Sequence, residues 1–127
     1  MLELLVVDPN PISHVLTRYA VREEFGDCLQ ITELPNGYEA RDYIKAGANP
    51  NVILMYIDMD HYDGIDAAND MRDEGYVNPF ILWTKRAKLM QDTPAVEQPV
   101  DILLRLASPN STSVLEVLRK YLNAPAK

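Results

Sequence analysis

The feature that most constrains the fold is an uninterrupted apolar run, VILMYI, over residues 52–57. A strand with one wet face alternates apolar and polar residues, whereas a strand covered on both faces is apolar throughout. Residues 4–7 and 80–84 are also mainly apolar, and amphipathic stretches separate the three runs. This pattern predicts a parallel sheet with helices on both of its faces.

The segments between the strands carry the signals of helices. Asn10 is a typical N-cap residue, and Pro11 after it is suited to the first turn of a helix. Gly26 is a typical residue for the end of the same helix. The apolar residues at helical spacing, which form the predicted buried face of this first helix, are Ile12, Val15, Leu16, Tyr19 and Ala20. The equivalent stripe of the last helix is Val114, Leu115, Leu118, Tyr121 and Leu122.

Residues 85–99 give the weakest helical signal. Leu89, Met90 and Val96 have helical spacing, but two prolines in this stretch restrict a helix to one or two turns. A second strand is predicted over residues 29–34 and a fifth over 101–106. We therefore predict that strand and helix alternate five times, with a short or distorted fourth helix.

Charge and composition exclude several classes of function. The chain has 12 Lys and Arg against 19 Asp and Glu, and a net charge of −7 disfavours direct binding to nucleic acid or to an anionic membrane. Cys28 is the only cysteine, so an internal disulfide is excluded and a buried thiol is expected. No apolar run reaches the ~18 residues of a membrane span, and the N-terminus lacks a signal-peptide pattern. We expect a cytoplasmic domain over residues 1–123, with 124–127 as a tail or the start of a linker.

Five segments together resemble the receiver domain of bacterial two-component response regulators. In chain order they are LLVVDPN, PNGYEA, VILMYIDMDHYDG, FILWT and ILLR. The resemblance covers nearly the whole chain. It implies a flavodoxin-like (βα)5 three-layer sandwich, with a parallel sheet in the order 2-1-3-4-5 and a site at the carboxyl ends of the strands. It also implies a role in signal transduction, and we expect no enzymatic activity.

The resemblance further implies where the active residues of such a domain would stand. The phosphoacceptor aspartate lies seven residues before the aspartate of a DG turn, which is Asp63 in this chain, so its position is held by Tyr56. The usual acidic pair at the end of the first strand is reduced to Asp8 and Pro9. Thr84 retains the threonine of the fourth strand.

Three further positions depart from the family pattern. Arg105 stands in place of a lysine, Lys85 in place of a small residue at the pocket rim, and Ile102 in place of an aromatic switch residue. We expect Arg105, together with Lys85, to neutralise Asp8 in place of a metal ion.

These departures predict a domain without aspartyl phosphorylation. Mg²⁺ binds clustered hard oxygen ligands, and losing two of three carboxylates removes most of the charge that attracts it. The phenol of Tyr56 has an ordinary pKa near ~10 and is a poor nucleophile without a base or metal beside it. We therefore expect Tyr56 to be a partly buried aromatic that fills the vacated pocket. No cofactor is expected, and Mg²⁺ binding is expected to be weak at most.

Asp58 leaves an alternative open. It lies two residues after Tyr56, so it could serve as a substitute phosphoacceptor, although an exposed loop acid is the simpler interpretation. A second alternative is a small α/β cofactor-binding protein or enzyme with its site at the same strand ends. Neither a G-x-G-x-x-G motif nor a P-loop motif is present to support it.

The leading hypothesis is a pseudo-receiver that acts by phosphorylation-independent contact with a protein, either a signalling kinase or an output protein. The resemblance implies an output surface made by the fourth helix, the fifth strand and the fifth helix. A homodimer could use the same surface.

Overall fold

A computed structural model of the chain describes residues 1–122, so Asn123 and the predicted tail over 124–127 lie outside the described residues. Five strands form one sheet: β1 (Leu2–Val7), β2 (Leu29–Leu34), β3 (Val52–Tyr56), β4 (Phe80–Trp83) and β5 (Val100–Leu103). The order across the sheet is β2-β1-β3-β4-β5, and every neighbouring pair is parallel. The predicted fold class and strand order are confirmed.

Four helices accompany the strands within these residues: α1 (Pro11–Phe25), α2 (Gly37–Lys45), α3 (Gly64–Asp73) and α4 (Thr112–Leu122). The first three begin at side-chain caps. The side-chain oxygens of Asn10, Asn36 and Asp63 accept hydrogen bonds from backbone amides in the first turns of α1, α2 and α3. These bonds satisfy amides that have no partner inside a helix. No helix among the described residues is both long enough and apolar enough to cross a bilayer.

The sheet divides the core into two layers. In β1, Leu5 and Val7 pack in the layer of α2 and α3, whereas Leu4 and Val6 pack in the layer of α1 and α4. Successive side chains of a strand point to opposite faces, so a strand covered on both sides must be apolar at every position. The central strand β3 follows the same rule, which is why its uninterrupted apolar run predicted the architecture.

The predicted fourth helix does not form. Residues 84–99 connect β4 to β5 as turns and irregular backbone. Leu89 and Val96 pack against the layer of α2 and α3, as their spacing predicted, but Met90 is 65% exposed. Two causes act together. Pro94 cannot donate in a helical ladder and clashes with the preceding turn, and Lys85 and the cations after it would stand at the positive end of a helix dipole.

The buried face of α1 is the reverse of the predicted one. Ile12, Val15, Leu16 and Tyr19 are 65%, 54%, 38% and 72% exposed, respectively. The inward face instead carries Ser13, His14, Thr17, Val21 and Phe25. Helical periodicity identified the helix correctly but assigned its first three turns to the wrong side.

Two smaller predictions were also wrong. The fifth strand ends at Leu103, so Arg105 lies in the loop after it, with a φ of 63°. Cys28 is exposed, and its thiol donates to the carbonyl oxygen of Phe25 at 3.0 Å.

Candidate functional site at the strand ends

Asp8 follows β1 and is the most buried acid at this edge of the sheet, with 2% of its surface exposed. Its Oδ1 accepts a hydrogen bond from the Asn10 amide at 2.8 Å, while its Oδ2 has no hydrogen-bond partner among the described residues. Burial raises the pKa of Asp8, and the nearby Asn10 amide, His14, Ser13 and Lys85 lower it in part. The site therefore contains one buried carboxyl with an unused acceptor.

Tyr56 ends β3 and is partly buried. Its ring lies 4.4 Å from the ring of Trp83 on β4, centroid to centroid, at an interplanar angle of 39°. Burial raises the pKa of the Tyr56 phenol, and the negative charges of Asp58 and Asp8 raise it further. The phenol is therefore harder to ionise than a free tyrosine, which weakens it as a nucleophile.

Asp58, Thr84 and Arg86 form a polar cluster at this edge of the sheet, with Asp58 in contact with both of the others. Its Oδ2 accepts a hydrogen bond from the hydroxyl of Thr84, and its Oδ1 lies 2.7 Å from Nη2 of Arg86. The Arg86 amide in turn donates to the Thr84 hydroxyl at 3.1 Å. The Asp58 side chain is 26% exposed, so it is not the free loop acid that the simpler interpretation of the sequence expected. Both of its carboxylate oxygens are already engaged.

Arg105 does not reach Asp8. No ion pair joins them within residues 1–122, and Arg105 is exposed, because its left-handed backbone lies beyond the end of β5. Lys85 is also exposed, and no ion pair joins it to Asp8 within residues 1–122, although its charge lowers the pKa of Asp8 slightly. Ile102 lies on β5, partly buried against the layer of α2 and α3. The cation that neutralises an acid of this cluster is Arg86, and the acid is Asp58.

The Asp63-Gly64 turn has a structural role. The Gly64 amide donates to the Ile57 carbonyl oxygen at 2.9 Å, which brings the start of α3 back onto the end of β3. A Cβ at position 64 would stand 2.6 Å from the carbonyl oxygen of Tyr56, so only glycine allows this approach. This contact holds the start of α3 against the end of β3, where Tyr56 lies.

A shallow cleft of about 320 Å³ lies beside the cluster. It is lined by Pro9, Pro35, Asn36, Asp58, Met59 and Asp60. Pro9 and Pro35 contribute no backbone N–H, so two of the six lining residues cannot donate an amide hydrogen bond to a phosphate group. Within residues 1–122, no three His, Cys, Asp or Glu side chains are arranged to share a metal ion.

Sequence reasoning brought Asp8, Tyr56, Asp58 and Thr84 to this site but missed Arg86. The sequence contains only a weak indication of its role. Arg86 is two residues after Thr84, and in an extended chain the side chains of residues i and i+2 point to the same face. The pairing depends on how the loop after β4 bends, and with no helix there the loop is free to carry Arg86 over Asp58.

Solved structures of receiver domains share this architecture. The chain aligns with the N-terminal domain of a response regulator/sensory box/GGDEF three-domain protein from Carboxydothermus hydrogenoformans. That alignment has a TM-score of 0.77 and 14% identity, and it covers 95% of this chain and 94% of the other. No family model matches the sequence, and no curated protein matches it either.

Two further neighbours come from histidine kinases. The receiver domain of the sensor histidine kinase PA1611 from Pseudomonas aeruginosa, with a magnesium ion in its active-site cleft, gives a TM-score of 0.72 at 18% identity, covering 97% of this chain and 98% of that one. A mutant of the receiver domain of the kinase CKI1 from Arabidopsis thaliana gives 0.75 at 18%, covering 95% and 89%. The chain therefore has the fold of response-regulator receiver domains.

Proposed function

We propose that this chain is a pseudo-receiver: a non-enzymatic, cytoplasmic signalling domain that acts through contact with a protein partner and without phosphorylation of an aspartate. The observation that carries the proposal is the Asp58 carboxylate, whose two oxygens are held by the Thr84 hydroxyl and the Arg86 guanidinium. A carboxylate that is hydrogen-bonded and ion-paired in this way is a weak nucleophile, because attack on phosphorus would require breaking both contacts.

The other residues of the site support the same proposal. Tyr56 stands where the resemblance places the phosphoacceptor, and its phenol is packed against Trp83 with a raised pKa. Among the buried carboxylate oxygens of residues 1–122, Oδ2 of Asp8 is the one without a hydrogen-bond partner.

A receiver-type Mg²⁺ site does not fit this donor set. Mg²⁺ requires several hard oxygen ligands, and Asp8 supplies one, Pro9 supplies no side-chain ligand and Asp58 is occupied by Arg86. The positive charge of Arg86 would also oppose a second cation at Asp58. We therefore derive no step through a metal ion.

Treatment with acetyl phosphate and Mg²⁺, followed by intact-protein mass spectrometry, tests the proposal. We expect no gain of a phosphoryl group in the wild type. The matched control is Asp58→Asn, which removes the one acid that could act as a substitute acceptor. A phosphoryl group present in the wild type and absent from Asp58→Asn would make the protein a phosphorylatable receiver and overturn the proposal.

A further inference from the structure

The carboxyl edge of β4 and β5 concentrates positive charge in an otherwise acidic chain. Residues 84–91 contain three cations and no acid, and residues 102–115 contain Arg105 and no acid. These two short stretches hold four of the 12 Lys and Arg residues of a chain whose net charge is −7. By contrast, residues 58–74 carry seven acids and a single arginine. The charge of the molecule is therefore strongly polarised along its sequence.

The fold brings the two basic stretches together. The Arg105 amide donates to the Arg86 carbonyl oxygen at 2.9 Å, and the Leu106 amide donates to the Thr84 carbonyl oxygen at 3.0 Å. The Arg86 side chain is 47% exposed, but its guanidinium is paired with Asp58. Lys85, Lys88 and Arg105 are exposed, and we call these three residues the basic rim.

The three cations of the basic rim have no ion-pair partner within the part of the chain that the structure describes. Within residues 1–122, none of its three side chains lies within ion-pair distance of a carboxylate, although the charge of Lys85 acts on Asp8 at longer range. Two apolar side chains on the same loops are also exposed, Met90 at 65% and Leu104 at 37%. Exposed cations and exposed apolar side chains therefore lie on the same two loops.

We propose that the basic rim, with Met90 and Leu104, is a docking surface for an acidic, amphipathic segment of a partner protein. Carboxylates of that segment would pair with the rim, and its apolar side chains would cover the two exposed apolar groups. Charge complementarity gives the surface its specificity and orientation, because the acidic stretch over residues 58–74 repels the same partner elsewhere on the molecule. This inference rests on the proposed function and names the partner surface for it.

Arg86 connects this surface to the candidate site. Arg86 is held at both ends, by its guanidinium on Asp58 and by its carbonyl on the Arg105 amide. Lys85 precedes it in the chain, and Arg105 is hydrogen-bonded to its backbone. The backbone hydrogen bonds between the two loops therefore hold Lys85 and Arg105 close to each other, and the residue between them in this arrangement, Arg86, also belongs to the candidate site.

Fluorescence anisotropy with a labelled synthetic peptide tests the inference. The probe is a ~18-residue helix of about five turns, with Leu on one face and Glu on its flanks, and a second peptide carries Gln in place of Glu. We expect the Glu peptide to bind the wild-type protein and to weaken as salt rises from about 50 mM to about 500 mM. We expect Lys85→Glu/Lys88→Glu to weaken binding by about tenfold or more.

The matched controls are two single variants with the same change in net charge. Lys88→Glu lies on the basic rim, whereas Lys45→Glu lies in the last turn of α2, and both lysines are exposed. Weakening by Lys88→Glu alone supports the proposal. Equal weakening by both variants, equal binding of the Gln peptide, or no binding of the Glu peptide at low salt would each overturn it. Tighter binding of a single-stranded oligonucleotide than of the Glu peptide would also overturn it.

The outcome is separable from that of the phosphorylation test. A protein that gains a phosphoryl group and still binds the Glu peptide through the rim refutes the proposed function and leaves the docking surface standing. A protein that gains none and fails to bind refutes the docking surface alone. Circular dichroism of each variant confirms that a loss of binding is not a loss of fold.

Discussion

Helices α1 and α4 lie in the same layer of the molecule but bury opposite kinds of surface. In α4 the apolar residues Val114, Leu118 and Leu122 face the sheet, as the helical period predicts. In the first three turns of α1 the apolar residues face solvent, and Ser13, His14 and Thr17 face inward. The same sequence rule therefore succeeds in one helix and fails in its neighbour. The difference shows that periodicity reveals an apolar stripe but not the direction in which it points.

The reason lies at the start of α1. Nε2 of His14 lies 2.7 Å from the carbonyl oxygen of Asp8, and Asp8 is held under the first turn by the Asn10 amide. These contacts fix the rotation of the helix where it begins. Only Val21 and Phe25, near its C-terminal end, join the apolar layer. A polar anchor at the strand end thus decides which side of α1 is buried.

The largest expected loss of stability comes from a substitution in the buried face of α4. Leu118 is fully buried, so Leu118→Ala removes buried methyl groups and leaves a cavity between α4 and the sheet. We expect the free energy of unfolding to fall by about 2–5 kcal/mol. Urea denaturation followed by circular dichroism measures it.

A matched valine pair controls for the chemistry of that substitution. Val114 on α4 is 1% exposed and Val15 on α1 is 54% exposed. Val114→Ala should cost more than ~1 kcal/mol, whereas Val15→Ala should change the stability by less than ~0.5 kcal/mol. Equal losses from the two variants would show that α1 buries its apolar stripe after all.

A smaller effect is expected from the buried carboxyl beneath α1. Because burial raises the pKa of Asp8, the folded protein holds this proton more tightly than the unfolded chain does. The stabilisation is therefore complete below about pH 4 and is lost as the pH rises through the raised pKa. Asp8→Asn keeps the acceptor for the Asn10 amide and removes the charge. We expect this variant to match the wild type near pH 3 and to exceed its stability at pH 7.

Thermal unfolding between pH 3 and pH 7 measures this difference. Asp27→Asn, at an exposed position after α1, is the control and should leave the pH dependence unchanged. Parallel curves for the wild type and Asp8→Asn across the whole range would contradict the assignment of a raised pKa to Asp8.

The smallest effect is expected at Thr17, which is 1% exposed and whose hydroxyl has no hydrogen-bond partner among the described residues. Thr17→Val removes this unsatisfied group, and we expect the free energy of unfolding to rise by about 1 kcal/mol. Thr17→Ser keeps the hydroxyl and loses the methyl group, so it should destabilise the protein. A loss of stability in Thr17→Val would mean that the hydroxyl has a partner.

Part of the candidate site could be predicted from the sequence, and part of it could not. Asp8, Tyr56 and Thr84 lie at the ends of strands whose apolar runs are clear in the sequence, and the register of a parallel sheet brings such ends together. The pairing of Arg86 with Asp58 could not be predicted, because it joins the ends of two loops through a long, flexible side chain.

By itself, the sequence determined the apolar strands, their parallel arrangement and the acids at the strand ends, because two-sided burial of a strand follows from its local pattern of apolar residues. The order of the strands across the sheet was expected only from the resemblance to receiver domains. Only the tertiary structure decided the rotation of α1, the absence of a helix over residues 84–99 and the closure of Asp58 by Thr84 and Arg86. Each of these depends on a contact between residues distant in the chain. Such contacts form only where the packed sheet brings the residues within hydrogen-bonding distance.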